Sequence, residues 1–224
     1  MNIIFLTESD PLSFFVQLDR DRNNIEHLML SDAQLPVNLP KLSSFKISQA
    51  CIALFMGNYY RAEIIGDKNN KKRVLFVDYG NVEDIDTSEL YFINNSLPEQ
   101  FYTSRRMAFH CRLHGIMPVA FKNAFDPEAR KLFSKLTTDQ KLFIRFLQQS
   151  VKGIYEVTIM LSNGRSVSDI LISRGFAVPF KWDIGPSLPL YETLDVLRSD
   201  ELDHIHPIFT VQLLDSLVQL EQVS

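Results

Sequence analysis

The chain has 224 residues, a formal net charge of -4, 46% hydrophobic residues and 22% charged residues. That length supports one large or two small domains with a sizeable core, and the composition is that of an ordinary globular protein. The acidic balance argues against a general nucleic-acid binder, two cysteines (Cys51 and Cys111) exclude a disulfide framework, and no apolar run reaches the roughly 20 residues that span a bilayer.

Asn2 to Leu6 and Phe14 to Leu18 read as two short strands joined by the turn residues Ser9-Asp10-Pro11. The apolar Ile3-Ile4-Phe5-Leu6 lacks a basic flank and a long apolar stretch, so it is not read as a signal peptide. Both cysteines are therefore expected to be reduced thiols in an intracellular protein. Ile25, Leu28, Met29 and Ala33 follow helical spacing and predict a helix over Asn23 to Leu35, ended by Pro36 and Pro40.

Gln49 to Phe92 is dense in strands: Cys51 to Met56, Tyr59 to Ile65, Arg73 to Asp78, Val82 to Ile85 and Leu90 to Phe92. The polar run Asp67 to Lys72 reads as a hairpin loop, and several short strands with close turns predict a small barrel. Met107 to Leu113 is strand-like. Asp126-Pro127 starts a helix that runs to about Leu136, with Ala129, Leu132 and Phe133 inward. Lys141 to Leu147 and Ile154 to Leu161 read as strands, followed by the turn Asn163-Gly164. Ser168 caps a short helix, Asp169 to Arg174, that Gly175 ends. The tail after Lys181 is rich in Pro and acid, and Pro207 to Leu220 has the spacing of an amphipathic helix.

The opening strand-strand-helix piece is too small to fold alone, and the strands after Pro98 need more sheet. The simplest arrangement gives them one shared sheet, with the barrel of Gln49 to Phe92 inserted between them.

Val74 to Ile85 (VLFVDYGNVEDI) is the most informative stretch. It is aromatic and β-branched, breaks at Gly80-Asn81 and ends in acid. From Val74 to Ser104 there is no Lys or Arg, against six acids: Asp78, Glu83, Asp84, Asp86, Glu89 and Glu99. Such a field attracts a basic partner, and it also fits a solvated acidic face. A two-residue turn at Gly57-Asn58 pairs Met56 with Tyr59 and sets Phe55 opposite Tyr60 on one face, with Leu54 and Arg61 on the other. Phe76 and Tyr79 lie on the next strand. Aromatic faces hold a cation with roughly 0.5–2 kcal/mol per good contact, best for weakly hydrated methylated groups. On composition and spacing alone, however, the same rings read as barrel core.

Cys51-x-Ala53-x-Phe55, Tyr59-Tyr60-Arg61-Ala62 and Val74-Leu75-Phe76-Val77-Asp78-Tyr79-Gly80-Asn81-Val82-Glu83 together resemble the Tudor domain of the germline extended-Tudor family. Ala108 to Pro118, the helix at Asp126, Tyr155-Glu156-Val157 and Leu171 to Ala177 resemble its staphylococcal-nuclease-like remainder, so the likeness covers about residues 1–180. The resemblance implies a mainly β chain with α (α+β): a small Tudor β-barrel over 48–93 and an OB-type lobe from 1–36 and 100–180, joined by a helical linker, with 181–224 as a C-terminal extension. Family members bind arginine, often symmetrically dimethylated, in the N-terminal tails of Piwi-type Argonaute proteins. The resemblance therefore implies a non-enzymatic reader in piRNA-pathway assembly, in the cytoplasm at perinuclear germ granules. Its cage is Phe55, Tyr60, Phe76 and Tyr79, with Asn81 bonding the guanidinium, and Asp78, Glu83, Asp84 and Asp86 are candidates for a peptide groove between the lobes. Asp78 is also read as a turn anchor or a partner of Arg61. The turn after Phe55 is shorter than the family's usual loop. A gapless alignment puts Leu54 at the first cage position, which would shift preference toward unmethylated arginine. The facing argument and the Cys-x-Ala-x-Phe pattern favour Phe55.

No metal or cofactor is expected. His110-Cys111-x-x-His114 lacks four ligands on one face, and neither a phosphate-binding glycine loop nor a nucleophile elbow is present. Two further roles have a sequence basis. Lys122, Arg130, Lys131, Lys135, Lys141 and Arg145 would form a basic stripe for RNA, and Leu213, Leu214 and Leu217 a self-association surface in the tail.

Overall fold

The computed structural model describes the backbone of residues 2–5 and residues 10–119, 124–149 and 153–181. The predicted helix at Pro207 to Leu220, with Leu213, Leu214 and Leu217, lies outside the described residues, as does Lys122. The protein is mainly β with short helices. It divides into two compact units, one running up to Arg20 and resuming at Ala108, the other beginning at Asp21 and continuing to Met107.

The first unit is a closed barrel that takes strands from both ends of its sequence. β1 (Asn2–Phe5), β2 (Phe14–Leu18), β9 (Phe109–Leu113), β11 (Leu142–Gln149) and β12 (Tyr155–Leu161) close in the order β1-β11-β12-β9-β2. Phe14, Val16 and Leu18 of β2 are fully buried on one face; of the residues between them, Phe15 is half-buried and Gln17 is buried. α3 (Pro127–Thr137) begins as predicted, with the Asp126 carboxylate accepting from Ala129 N–H at 2.9 Å and Pro127 in the first turn. Its Phe133 is fully buried and meets the Phe14 ring at 5.3 Å between centroids. α4 (Val167–Ser173) is capped by Ser166, whose hydroxyl faces Asp169 N–H, and not by Ser168. Ser168 is instead inside the first turn and donates to the His114 carbonyl. A two-stranded sheet of β10 (Ile116–Pro118) and β13 (Ala177–Pro179) completes this unit.

The second unit holds the six-stranded sheet. Its strands are β3 (Met29–Ser31), β4 (Ala50–Phe55), β5 (Asn58–Lys68), β6 (Lys71–Phe76), β7 (Val82–Asp86) and β8 (Leu90–Tyr91), in the order β7-β6-β5-β4-β8, with β3 paired to β5. β4 reads as an unbroken apolar run because both of its faces are covered. Cys51 and Ala53 join Ala62, Ile64, Val74, Phe76, Ile85 and Leu90 in one core cluster. Ile52 turns the other way, toward Ile25, Leu28, Leu30, Tyr59, Ile93 and Phe101.

The helix expected over Asn23 to Leu35 is only α1 (Arg22–Glu26); α2 (Gln100–Thr103) lies in the same unit. Met29–Ser31 instead pairs antiparallel with Tyr60, Tyr59 and Asn58 of β5. Burial explains the substitution: Ile25, Leu28 and Leu30 all reach the same core cluster, and an edge of β5 was open to Leu30. Tertiary pairing overrode a short helical spacing.

Candidate aromatic site

The β4–β5 hairpin turns at Met56-Gly57, one residue earlier than the spacing suggests, so that Phe55 pairs with Asn58. Both turn residues have positive φ, 50° at Met56 and 80° at Gly57, as a tight two-residue hairpin turn requires. The expected register sets Phe55 opposite Tyr60; the observed one sets Ala53 opposite Tyr60 and Leu54 opposite Tyr59. The displacement is two residues. Because side chains alternate with period two, an even displacement leaves every face unchanged. Phe55 and Tyr60 still share a face, while Leu54 packs with Tyr59 on the opposite one.

The loop after β6 folds back on Phe76. Its carbonyl accepts from Tyr79 N–H at 3.1 Å and Gly80 N–H at 2.7 Å, and its own N–H donates to the Asn81 carbonyl at 3.0 Å. Gly80 stands at φ 77°, a conformation that costs a side chain roughly 1–2 kcal/mol. Asp78 points inward from this loop. It is 1% exposed and takes Arg61 Nε at 2.8 Å and Nη2 at 2.5 Å, and it also accepts from Met107 N–H at 3.1 Å. Arg61 is fully buried and donates onward to the carbonyls of Ser104 and Arg105, each at 2.7 Å. Asp78 is thus the anchor of the loop and is withdrawn from the expected peptide groove. Its pairing with Arg61 agrees with the sequence reading. The three-carbonyl nest that includes Phe101, at sequence separations of 40 residues or more, has no signal in the chain.

With the loop held this way, four rings form a continuous series. Phe55 and Phe76 lie 5.5 Å apart between centroids at 43°, Tyr60 and Phe76 5.6 Å apart at 83°, and Tyr60 and Tyr79 5.4 Å apart at 89°. Phe76 is buried; Phe55, Tyr60, Tyr79 and Asn81 are half-buried. Near-perpendicular rings present faces and edges at right angles, the geometry that lets several π-faces address one cation. Burial pushes the Tyr79 phenol up to about 12, helped by Tyr60, Asp78 and Glu26, so at neutral pH it keeps its proton.

The acids of β7 do not act together. Ile85 points into the core, and the period of two puts Glu83 on that face and Asp84 and Asp86 on the other. Asp84 is already engaged, with Arg73 Nε at 3.0 Å and Lys68 Nζ at 2.6 Å, and those partners hold its carboxyl at about 2. Asp86 caps the turn after β7 by accepting from Ser88 N–H and its hydroxyl. Of these three acids, Glu83 alone reaches the aromatic side, where its Oε1 is 3.5 Å from Asn81 Nδ2.

Elsewhere, Arg130, Lys131, Lys135, Lys141 and Arg145 are exposed on α3, on β11 and just before it. The His110 ring stacks on Phe15 at 4.6 Å and its Nε2 meets Ser13 Oγ at 2.9 Å. Among the described residues no group of three or more His, Cys, Asp or Glu is placed to hold a metal, and no helix is long and apolar enough to cross a membrane.

The Tudor domain family matches residues 1–115 of the chain. Tudor domain-containing 6 of Danio rerio is 32% identical over 179 residues, covering 76% of this chain and 8% of the relative, so the chain spans a small part of that protein. Among solved structures, the human TDRD1 extended Tudor domain in complex with a symmetrically dimethylated peptide superposes with a TM-score of 0.69 at 26% identity, over 80% of this chain and 90% of that one. The extended Tudor domain TD3 of mouse TDRD1, in complex with a MILI peptide containing dimethylarginine, gives 0.68 at 23% identity, over 80% and 92%.

Proposed function

The chain belongs to the Tudor domain family, and on that premise we propose that it is a non-enzymatic reader of arginine-containing peptides, with the aromatic series of β4, β5 and β6 receiving one methylated guanidinium. The observation that carries this reading is the joint position of Phe55, Tyr60, Phe76 and Tyr79 on one face, with the Asn81 amide beside them. A methylated guanidinium loses part of its hydration to the methyl groups and retains its charge, so rings compensate its desolvation better than that of a bare guanidinium. Asn81 supplies a directional acceptor for a remaining N–H. The dimethylated peptides held by the TDRD1 domains support the ligand class.

The partner in this reading is the arginine-bearing N-terminal tail of a Piwi-type Argonaute, in assemblies of the piRNA pathway at germ granules. The likeness to Tudor domain-containing 6 of Danio rerio and to Protein tudor of Drosophila melanogaster supports that setting. The test is a titration of isotope-labelled protein with a symmetrically dimethylated Arg-Gly peptide, followed by NMR. Saturable shifts concentrated at Phe55, Tyr60, Tyr79 and Asn81 are expected. Saturable binding that leaves these four unmoved would overturn the assignment.

A further inference from the structure

Four acids of the 78–86 stretch are candidates for contact with a basic ligand, and three of them are engaged elsewhere. Asp78 is sealed against Arg61, Asp84 is neutralised by Arg73 and Lys68, and Asp86 caps a turn. Glu83 sits opposite Val74 in the β6–β7 ladder, on the face that carries Phe76 and Ile85, and it is half-buried. Its carboxylate is 3.5 Å from the Asn81 side-chain nitrogen.

Chemistry fixes the consequence of that contact. An ionised carboxylate only accepts, and an amide has one accepting end and one donating end. Glu83 therefore attracts the NH₂ end of Asn81 and leaves Oδ1 turned away from it and available to an N–H donor. A guanidinium offers such donors, and an amide not already held by Glu83 must be turned from its other orientation before it accepts from the cation.

Resting on the cage reading above, we propose that Glu83 is the positioning residue of the site: it sets the Asn81 amide so that Oδ1 accepts from the ligand guanidinium. The site is then selective for a cation that keeps at least one N–H, as arginine and its symmetric dimethyl form do and a quaternary ammonium does not. Asp84, one residue along, faces away and has no part in this.

The test is a double-mutant cycle on the full chain, with the symmetrically dimethylated Arg-Gly peptide as the probe in calorimetry. Glu83→Ala weakens binding by about tenfold in the wild-type background, as expected for loss of a charge-assisted hydrogen-bond arrangement. In an Asn81→Ala background, the same change costs less than about twofold, because there is no amide left to orient. Asp84→Ala leaves affinity within about twofold. Glu83→Gln, which keeps an acceptor of the same shape, recovers most of the loss and covers the case in which Glu83→Ala unfolds. Equal losses in the two backgrounds, an undiminished affinity in Glu83→Ala, or a loss in Asp84→Ala as large as that in Glu83→Ala would overturn the proposal. Failure of the wild-type chain to bind the peptide at all would instead overturn the cage reading beneath it, before any variant is compared.

Discussion

Arg61 and Asp78 form a two-point ion pair in which neither side chain is more than 1% exposed, Nε donating to Oδ2 at 2.8 Å and Nη2 to Oδ1 at 2.5 Å. The pair ties β5 to the loop that carries Tyr79 and Asn81, and Arg61 ties both to the carbonyls of Ser104 and Arg105. Removing one partner leaves the other charged and buried. Asp78→Ala is expected to cost about 3–5 kcal/mol in urea unfolding, with no peptide contact involved. An effect under about 1 kcal/mol would mean that the pair does not anchor this loop.

The face assignment separates Phe55 from Leu54 in one experiment. Phe55→Ala removes a ring from the series and is expected to weaken methylated peptide binding by about 2- to 30-fold, the equivalent of one cation–π contact, together with a loss of stability from its packing on the core cluster of its own face. Leu54→Ala removes packing against the opposite cluster and is expected to lower stability by about 2 kcal/mol while leaving the affinity of the folded chain unchanged. The reverse pattern would place Leu54 in the site.

Met56 occupies a positive-φ turn position that Asn fills at lower cost. Met56→Asn is expected to stabilise the chain by roughly 0.5–1 kcal/mol. Gly57→Ala is expected to destabilise it by about 1–2 kcal/mol through backbone strain alone, since an added Cβ meets nothing within 4 Å. Urea midpoints of the two variants measure both.

Asp84 gives a pH signature. Its hydrogen bond to Arg73, then that to Lys68, holds it at about 2 against an ordinary 3.8. A depressed folded value means that its contribution to stability is complete above the ordinary value and disappears as pH falls through about 2. The stability difference between wild type and Asp84→Asn is therefore expected to be nearly constant from neutral pH down to about 4, to be mostly lost by about 2, and to shrink with added salt because the pair is exposed. A difference that persists at pH 2 would assign it to something other than this charge.

Much of the small barrel was legible because its strands carry strong local signals. The shared face of Phe55 and Tyr60 is legible although the turn is not, since the expected and observed registers differ by an even number of residues. Asn23 to Leu35 misled because Ile25, Leu28 and Met29 fit a helix as well as a helix-strand piece, and only pairing with the distant β5 decides between them. The acids were grouped by composition, although alternation along β7 separates Glu83 from Asp84 and Asp86. The Arg61 nest was out of reach, because carbonyls at 101, 104 and 105 leave no mark on residue choice.

If the ring series reads the methyl groups of an arginine, its discrimination between methylated and unmethylated peptides depends on Tyr79. Calorimetry of wild type and Tyr79→Ala against matched unmethylated and symmetrically dimethylated Arg-Gly peptides addresses it directly. Tighter binding of the dimethylated peptide by wild type is expected, with loss of that preference in Tyr79→Ala and its fold intact. Equal affinities for the two peptides in wild type, or a preference that survives in Tyr79→Ala, would contradict it.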